Sequence, residues 1–122
     1  MTNFIGSSTS SAVQDQARVQ DLKSRLDWGE PALTIIDVRD HRVFNQEHIT
    51  GAISMPADVL VETIGVTLEK DRDIYIYGET DDETVEAASS LRNAGYLAVA
   101  ELRGGMSAWK AVGYPTEIIA AA

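Results

Sequence analysis

The segment Gly78-Glu79-Thr80-Asp81-Asp82-Glu83-Thr84 holds the densest set of chemically active side chains in the chain. Four of its residues are carboxylates: Glu79, Asp81, Asp82 and Glu83. Carboxylates at this density can hold a hard cation, move a proton, or cap the start of a helix. The spacing decides among these. Asp81-Asp82-Glu83 does not follow the ligand spacing of a calcium-binding loop, so no metal site is expected. Thr80-x-x-Glu83 does fit a capping box, in which the Thr80 hydroxyl accepts from the Glu83 N–H and the Glu83 side chain reaches back. Acidic residues in a first helical turn also favour the helix dipole, by about 0.3–1 kcal/mol each.

Three further residues form a candidate pocket rim: Asp37, Arg39 and Arg103. For Asp37 and Arg39 a fixed turn or ion pair is the simpler reading, and Arg103 is expected to offer a remaining positive charge. His48 has the chemistry of a general base, but a structural role is expected, the similarity of its motif to a known family implying that it orients local backbone. His41 is expected to be exposed. Tyr75, Tyr77 and Trp109 read as packing residues, with no cofactor to stack on. No catalytic residue, cofactor site or metal site is assigned. The chain has no cysteine, which excludes disulfides, thiolate zinc sites and cysteine nucleophiles. It also has no Ser-His-Asp arrangement, phosphate-binding loop or dinucleotide fingerprint.

These residues must be positioned by secondary structure, and the hydropathy pattern supplies it. A helix is expected from about Gln14 to Trp28, with Val19, Leu22 and Leu26 on one stripe, stopped by Gly29 and Pro31. Leu33–Asp37 reads as a buried parallel strand. A short helix is expected in Asp40–His48, with Val43 and Phe44 inward, and a short strand in Ala52–Met55. Pro56 suits the start of a helix through Ala57–Ile64, stopped by Gly65. Asp73–Tyr77 is the clearest strand, ended by Gly78. A helix with Val85, Ala88 and Leu91 follows, then the strand Ala98–Leu102. Gly104-Gly105 is a tight turn before a last helix carrying Met106, Trp109 and Val112. Strands alternating with helices predict an α/β domain: a parallel sheet of about five short strands, covered on both faces. The functional crevice of such a sheet lies at the C-terminal ends of its strands. That is where Asp37-Val38-Arg39, Tyr77-Gly78 and Leu102-Arg103-Gly104 fall.

The whole chain sets outer limits. Its 122 residues fit one domain. The expected organisation is a flexible tail at residues 1–12, a domain over 13–118 and a short tail at 119–122. The formal net charge of -9 disfavours nucleic acid and membrane as partners, because both attract clustered Lys and Arg. The polar N-terminal stretch lacks the basic and apolar regions of a signal peptide. No run approaches the roughly 20 apolar residues of a membrane span. A cytoplasmic location is expected.

The order of motifs resembles the rhodanese-like, or sulfurtransferase-fold, family. Asp37-Val38-Arg39 is similar to the family's Asp-Val-Arg after the first core strand. His48-Ile49-Thr50-Gly51-Ala52-Ile53 is similar to its Gly-His-Ile-Pro-Gly-Ala-Ile segment, with Glu47 and Thr50 in place of the first glycine and the proline. Gly95-Tyr96 and Leu102-Arg103-Gly104-Gly105-Met106-Ser107-Ala108-Trp109 are similar to its closing Leu-x-Gly-Gly-x-x-x-Trp pattern. The resemblance runs from about Val19 to Pro115 and implies a single rhodanese-like domain.

In that family a cysteine directly follows the strand that resembles Asp73–Tyr77. It sits at a helix N-terminus and carries the transferred sulfur as a persulfide. Backbone N–H groups and the helix dipole there stabilise a thiolate and bind an anionic donor such as thiosulfate. The resemblance puts Gly78 at that position. It also puts Glu83 and Thr84 where an arginine and a serine are frequent. Dual-specificity phosphatases of the same fold use Cys-x5-Arg, and both of those residues are missing here. The expectation is therefore a catalytically inactive domain acting as a binding or regulatory module, which recognises a protein partner with a basic surface through the loop face. The alternative is a family sulfurtransferase or other enzyme with residual non-cysteine chemistry in the acidic loop. A third reading is a spacer within a larger chain.

Overall fold

A computed structural model of the protein describes residues 14–29 and 32–119. The tail expected at residues 1–12 lies outside the described residues, as do positions 120–122. Among the described residues the elements run as follows: β1 (Gln16–Ala17), α1 (Val19–Asp27), β2 (Leu33–Asp37), α2 (His41–Gln46), β3 (His48–Ile49), β4 (Ile53–Ser54), α3 (Leu60–Gly65), β5 (Asp73–Tyr77), α4 (Asp81–Asn93), β6 (Ala98–Leu102), α5 (Gly105–Ala111) and β7 (Thr116–Glu117). A 3₁₀ turn, Ala57–Val59, leads into α3. Five strands form one sheet in the order β1-β6-β5-β2-β4, and every pair in it is parallel. This is the expected α/β sheet. β3 and β7 form a separate antiparallel pair, with His48 opposite Glu117.

Alternation along the strands divides the core in two, as a period of two demands. On β5, Ile74 and Ile76 join Ile36, Leu60, Leu91 and Val99 under α3 and α4. Tyr75 and Tyr77 point the other way and join Leu22, Ile49, Leu102 and Trp109 under α1 and α5. The three aromatic residues read as packing are indeed buried: Tyr75 is 3% exposed, and Tyr77 and Trp109 are 0% exposed. Each uses its polar atom without leaving the core. Trp109 Nε1 donates to the Pro115 carbonyl at 2.7 Å, and Tyr77 Oη accepts from the Ile49 N–H at 3.1 Å.

The expected first helix is too long by five residues at its start. Gln16-Ala17 instead pairs with Glu101-Leu102. The Glu101 N–H donates to the Asp15 carbonyl at 2.8 Å and the Arg103 N–H to the Ala17 carbonyl at 2.9 Å. Satisfying the edge of a buried strand outweighs a weak local preference for helix. The helix begins after Arg18, whose N–H donates to the Asp21 carboxylate at 3.0 Å. The apolar stripes also shift. Leu26, Val85 and Val112 are exposed. On α4 the inward face is Thr84, Ala87, Ala88 and Leu91. Small residues there let the helix lie close to the sheet.

Candidate functional site

The loop after β5 is built by its own side chains. Gly78 is buried at the C-terminal end of the central strand. Its N–H donates to Thr84 Oγ1 at 2.8 Å, and that hydroxyl donates to the Thr80 carbonyl at 3.0 Å. Thr80 caps α4 as expected, its Oγ1 accepting from the Glu83 N–H at 3.1 Å. Glu83 reaches back one residue further than a simple capping box requires, because Oε1 accepts from the Glu79 N–H at 3.2 Å. Asp81 turns the other way. Its Oδ1 accepts from the Gly104 N–H at 2.9 Å, and its Oδ2 lies 3.3 Å from Arg103 Nη2. Two of the four carboxylates thus hold backbone N–H groups at the mouth of the sheet. Glu79 and Asp82 are exposed.

Glycine at position 104 is dictated locally. Its φ is +78°, and a Cβ there would lie 2.5 Å from the Ala108 Cβ. The turn brings the start of α5 against the loop: a Cβ on Gly105 would stand 3.4 Å from the Gly78 carbonyl. At Gly78 itself a Cβ would meet the Glu83 Cβ at 3.2 Å, Val38 Cγ2 at 3.3 Å and Glu83 Oε1 at 3.5 Å. The position is therefore tight on two sides and faces a carboxylate.

The three expected rim residues part company. Asp37 is fully buried at the end of β2 and forms no part of an open rim. Its Oδ1 accepts from the Arg39 N–H at 2.9 Å and its Oδ2 from Arg39 Nη2 at 2.7 Å. Arg39 spends the same nitrogen on the Glu47 carbonyl at 2.7 Å. Burial works against the guanidinium charge. The hydrogen bonds and charge of Asp37 outweigh that, and the Arg39 pKa rises. The fixed ion pair is thus present, and it locks the residues after β2 onto those before β3. Arg103, expected as a remaining positive charge, is paired with Asp81, so its charge offsets the loop's own.

Of these three, Arg39 is the one that lines the depression beside the loop. This open hollow, about 360 Å³, is also lined by Val43, Glu47, Glu79, Met106 and Lys110. Glu47 and Lys110 were not among the residues singled out. Glu47 Oε1 accepts from Lys110 Nζ at 2.7 Å, and Oε2 accepts from Thr116 Oγ1 at 2.6 Å. The bond from Lys110, followed by that from Thr116, holds the Glu47 carboxyl below its ordinary pKa. The available signal was the departure itself, a carboxylate where the resembling motif has glycine. Its partners lie 63 and 69 residues away, beyond any local pattern.

His48 is buried and stacks on Phe44 with ring centroids 3.7 Å apart. Its Nδ1 lies 2.9 Å from the Phe44 carbonyl and its Nε2 3.3 Å from Glu117 Oε1. Both partners are acceptors, so the ring holds local backbone and the last strand, as expected. His41 is exposed and its Nδ1 lies 2.6 Å from Ser54 Oγ. Tyr77, beside the loop, has its pKa pushed far above the ordinary range by burial and by the Asp37 charge. It is a neutral hydroxyl, not a base. No group of three or more metal-ligating side chains comes together among the described residues. No helix among them is long and apolar enough to cross a membrane.

Comparison with known proteins places this geometry. The model of the rhodanese-like domain matches residues 18–112. The protein slr1261 of Synechocystis is 32% identical over 87 residues, covering 71% of this chain and 48% of that protein. A sulfurtransferase of Allochromatium vinosum is 31% identical over 96 residues, covering 79% of this chain and 88% of the relative. The crystal structure of the Alr3790 protein from Anabaena superposes with a TM-score of 0.84 at 52% identity, covering 86% of this chain and 94% of that one. The chain thus spans less than half the length of slr1261. With its parallel sheet, its loop after the central strand and its closing Gly-Gly turn, the chain belongs to the rhodanese-like domain family.

Proposed function

We propose that this chain is a catalytically inactive rhodanese-like domain that acts as a binding module and presents its loop face to a basic protein surface. One observation carries the reading: three N–H groups at the mouth of the sheet, where an anion would approach, already donate to the chain's own side chains. The Gly78 amide is taken by Thr84, the Glu79 amide by Glu83 and the Gly104 amide by Asp81. With no cysteine in the chain, the thiolate and the anion cradle are lost together. The exposed Glu79 and Asp82 then give the loop face the character of a cation-seeking surface.

A thiosulfate–cyanide assay tests the catalytic half. No turnover is expected for this chain, and at most a trace for Gly78→Cys. A thiolate there would face Glu83, and thiosulfate would meet like charges that repel by about 1 kcal/mol at 4 Å in water and about 4 kcal/mol at an effective dielectric of 20. Robust turnover by Gly78→Cys would overturn the reading that the loop has been remodelled. For the binding half, affinity for a co-purifying partner should fall when Glu79 and Asp82 are replaced by lysine. An affinity unmoved by that reversal would rule out the loop face as the contact.

A further inference from the structure

A second concavity lies next to the loop, and the reading above makes no use of it. It is an open groove of about 560 Å³ at the C-terminal ends of β2 and β4. Val38, Pro56 and Val59 give it an apolar floor, and Asp40, His41 and Asp58 flank it. Its size lies within the roughly 300–1,000 Å³ typical of ligand sites, but it is open rather than enclosed, as a surface for an extended chain would be. The floor is rigid. The Met55 N–H donates to the Asp37 carbonyl at 2.9 Å and the Ala57 N–H to the Val38 carbonyl at 3.1 Å, pinning this segment to the end of β2. Val59 nevertheless leaves 43% of its surface exposed.

The flanking charges are unspent. Asp58 has no hydrogen-bond or ion-pair partner among the described residues. Asp40 Oδ1 accepts from the Arg42 N–H at 3.1 Å, as the cap of α2, and its Oδ2 has no partner among the described residues. Ser54 holds the His41 ring at the rim through the 2.6 Å contact with Nδ1. Arg42, also exposed, forms no ion pair with either aspartate. Val38, on the floor of the groove, also neighbours the loop: its Cγ2 would lie 3.3 Å from a Cβ on Gly78. An apolar floor between unneutralised carboxylates complements one kind of occupant.

We infer that this groove docks an extended basic segment of a protein partner, with an aliphatic side chain on the floor and cationic side chains against Asp40 and Asp58. The inference rests on the binding-module reading and adds an apolar requirement to it. That requirement separates the groove from the general attraction of a chain with net charge -9 for any cation.

The test uses the full ¹⁵N-labelled chain and two peptides of equal charge, Lys-Lys-Leu-Lys-Lys and Lys-Lys-Ser-Lys-Lys, at low salt. The leucine peptide should shift the Val38, Asp40, Asp58 and Val59 amides and bind about fivefold tighter, in the range of about 1 mM. Asp58→Asn should weaken it about two- to threefold and leave the rest of the spectrum in place. Equal binding by the two peptides would overturn the groove, and so would the lack of any saturable shift at those amides. Shifts confined to the Glu79–Glu83 amides would overturn the groove and leave the loop-face reading standing. Groove shifts with a silent loop would support the groove and count against the loop face.

Discussion

Gly78 shows how far one residue can be read from sequence and where contacts take over. Its position after Tyr77 follows from the strand pattern and the motif order. The pressure on it does not, because Glu83 and Val38 converge there from α4 and from the end of β2. A thiol placed at this position by Gly78→Cys would sit beside the Glu83 carboxylate, and a neighbouring negative charge raises a thiol's pKa. Iodoacetamide should therefore label Gly78→Cys slowly at neutral pH. Adding Glu83→Gln should speed labelling by about three- to tenfold, as expected when one nearby like charge is removed. Equal rates in the single and double variants would mean that Glu83 does not control this spot. Asp37 and Arg103 mark the opposite limit. Sequence places both at strand ends in the crevice and already suggests the Asp37–Arg39 pair, but the full burial of Asp37 and the pairing of Arg103 with Asp81 come only from the fold.

Among the elements, the long ones were legible, and of the two-residue strands only β4, inside the short strand expected at Ala52–Met55, was. β2, β5 and β6 each run five residues, and their apolar runs identify them as buried parallel strands. β1, β3 and β7 run two residues each, too few for any period to appear. They exist because a longer neighbour or a side chain fixes them. Glu47 is the clearest case, joining the end of α2 to Lys110 of α5 and to Thr116 of β7. Its depressed carboxyl pKa sets the sign of a pH effect. The folded pKa lies below the unfolded one, so the stabilisation is complete above the unfolded glutamate value of about 4.3. It fades as pH falls below that and is gone below the folded pKa. Urea midpoints measured from pH 6 down to pH 3 should drop less steeply in Glu47→Gln than in the parent chain. Parallel slopes would show that these bonds contribute nothing to acid stability.

For the molecule as a whole, charge acts in two opposing ways. A net charge of -9 on 122 residues repels itself in the compact state, while it attracts a basic partner. Salt screens both, with a Debye length falling from about 10 Å at 0.1 M to about 3 Å at 1 M. Raising sodium chloride should therefore raise the thermal midpoint of the isolated domain while weakening the proposed contact with a basic partner. A midpoint that falls over that range would show that attractive pairs such as Arg25–Asp73 and Arg92–Glu101 outweigh the net repulsion. The family and the sheet were legible at this scale because motif order survives where single residues have changed. The balance between paired and unpaired charge was not, because it depends on which side chains meet.

The sheet ends on two very short strands, β1 at one border and β4 at the other. Each offers an incoming chain little more than one or two unpaired backbone groups on its outer side. Recruitment by adding a foreign strand needs a longer row of free donors and acceptors. Uncontrolled stacking of copies through their borders needs the same row. Among the described residues the sheet borders are thus poor templates for an added strand, and a partner of the kind proposed would be selected by side chains.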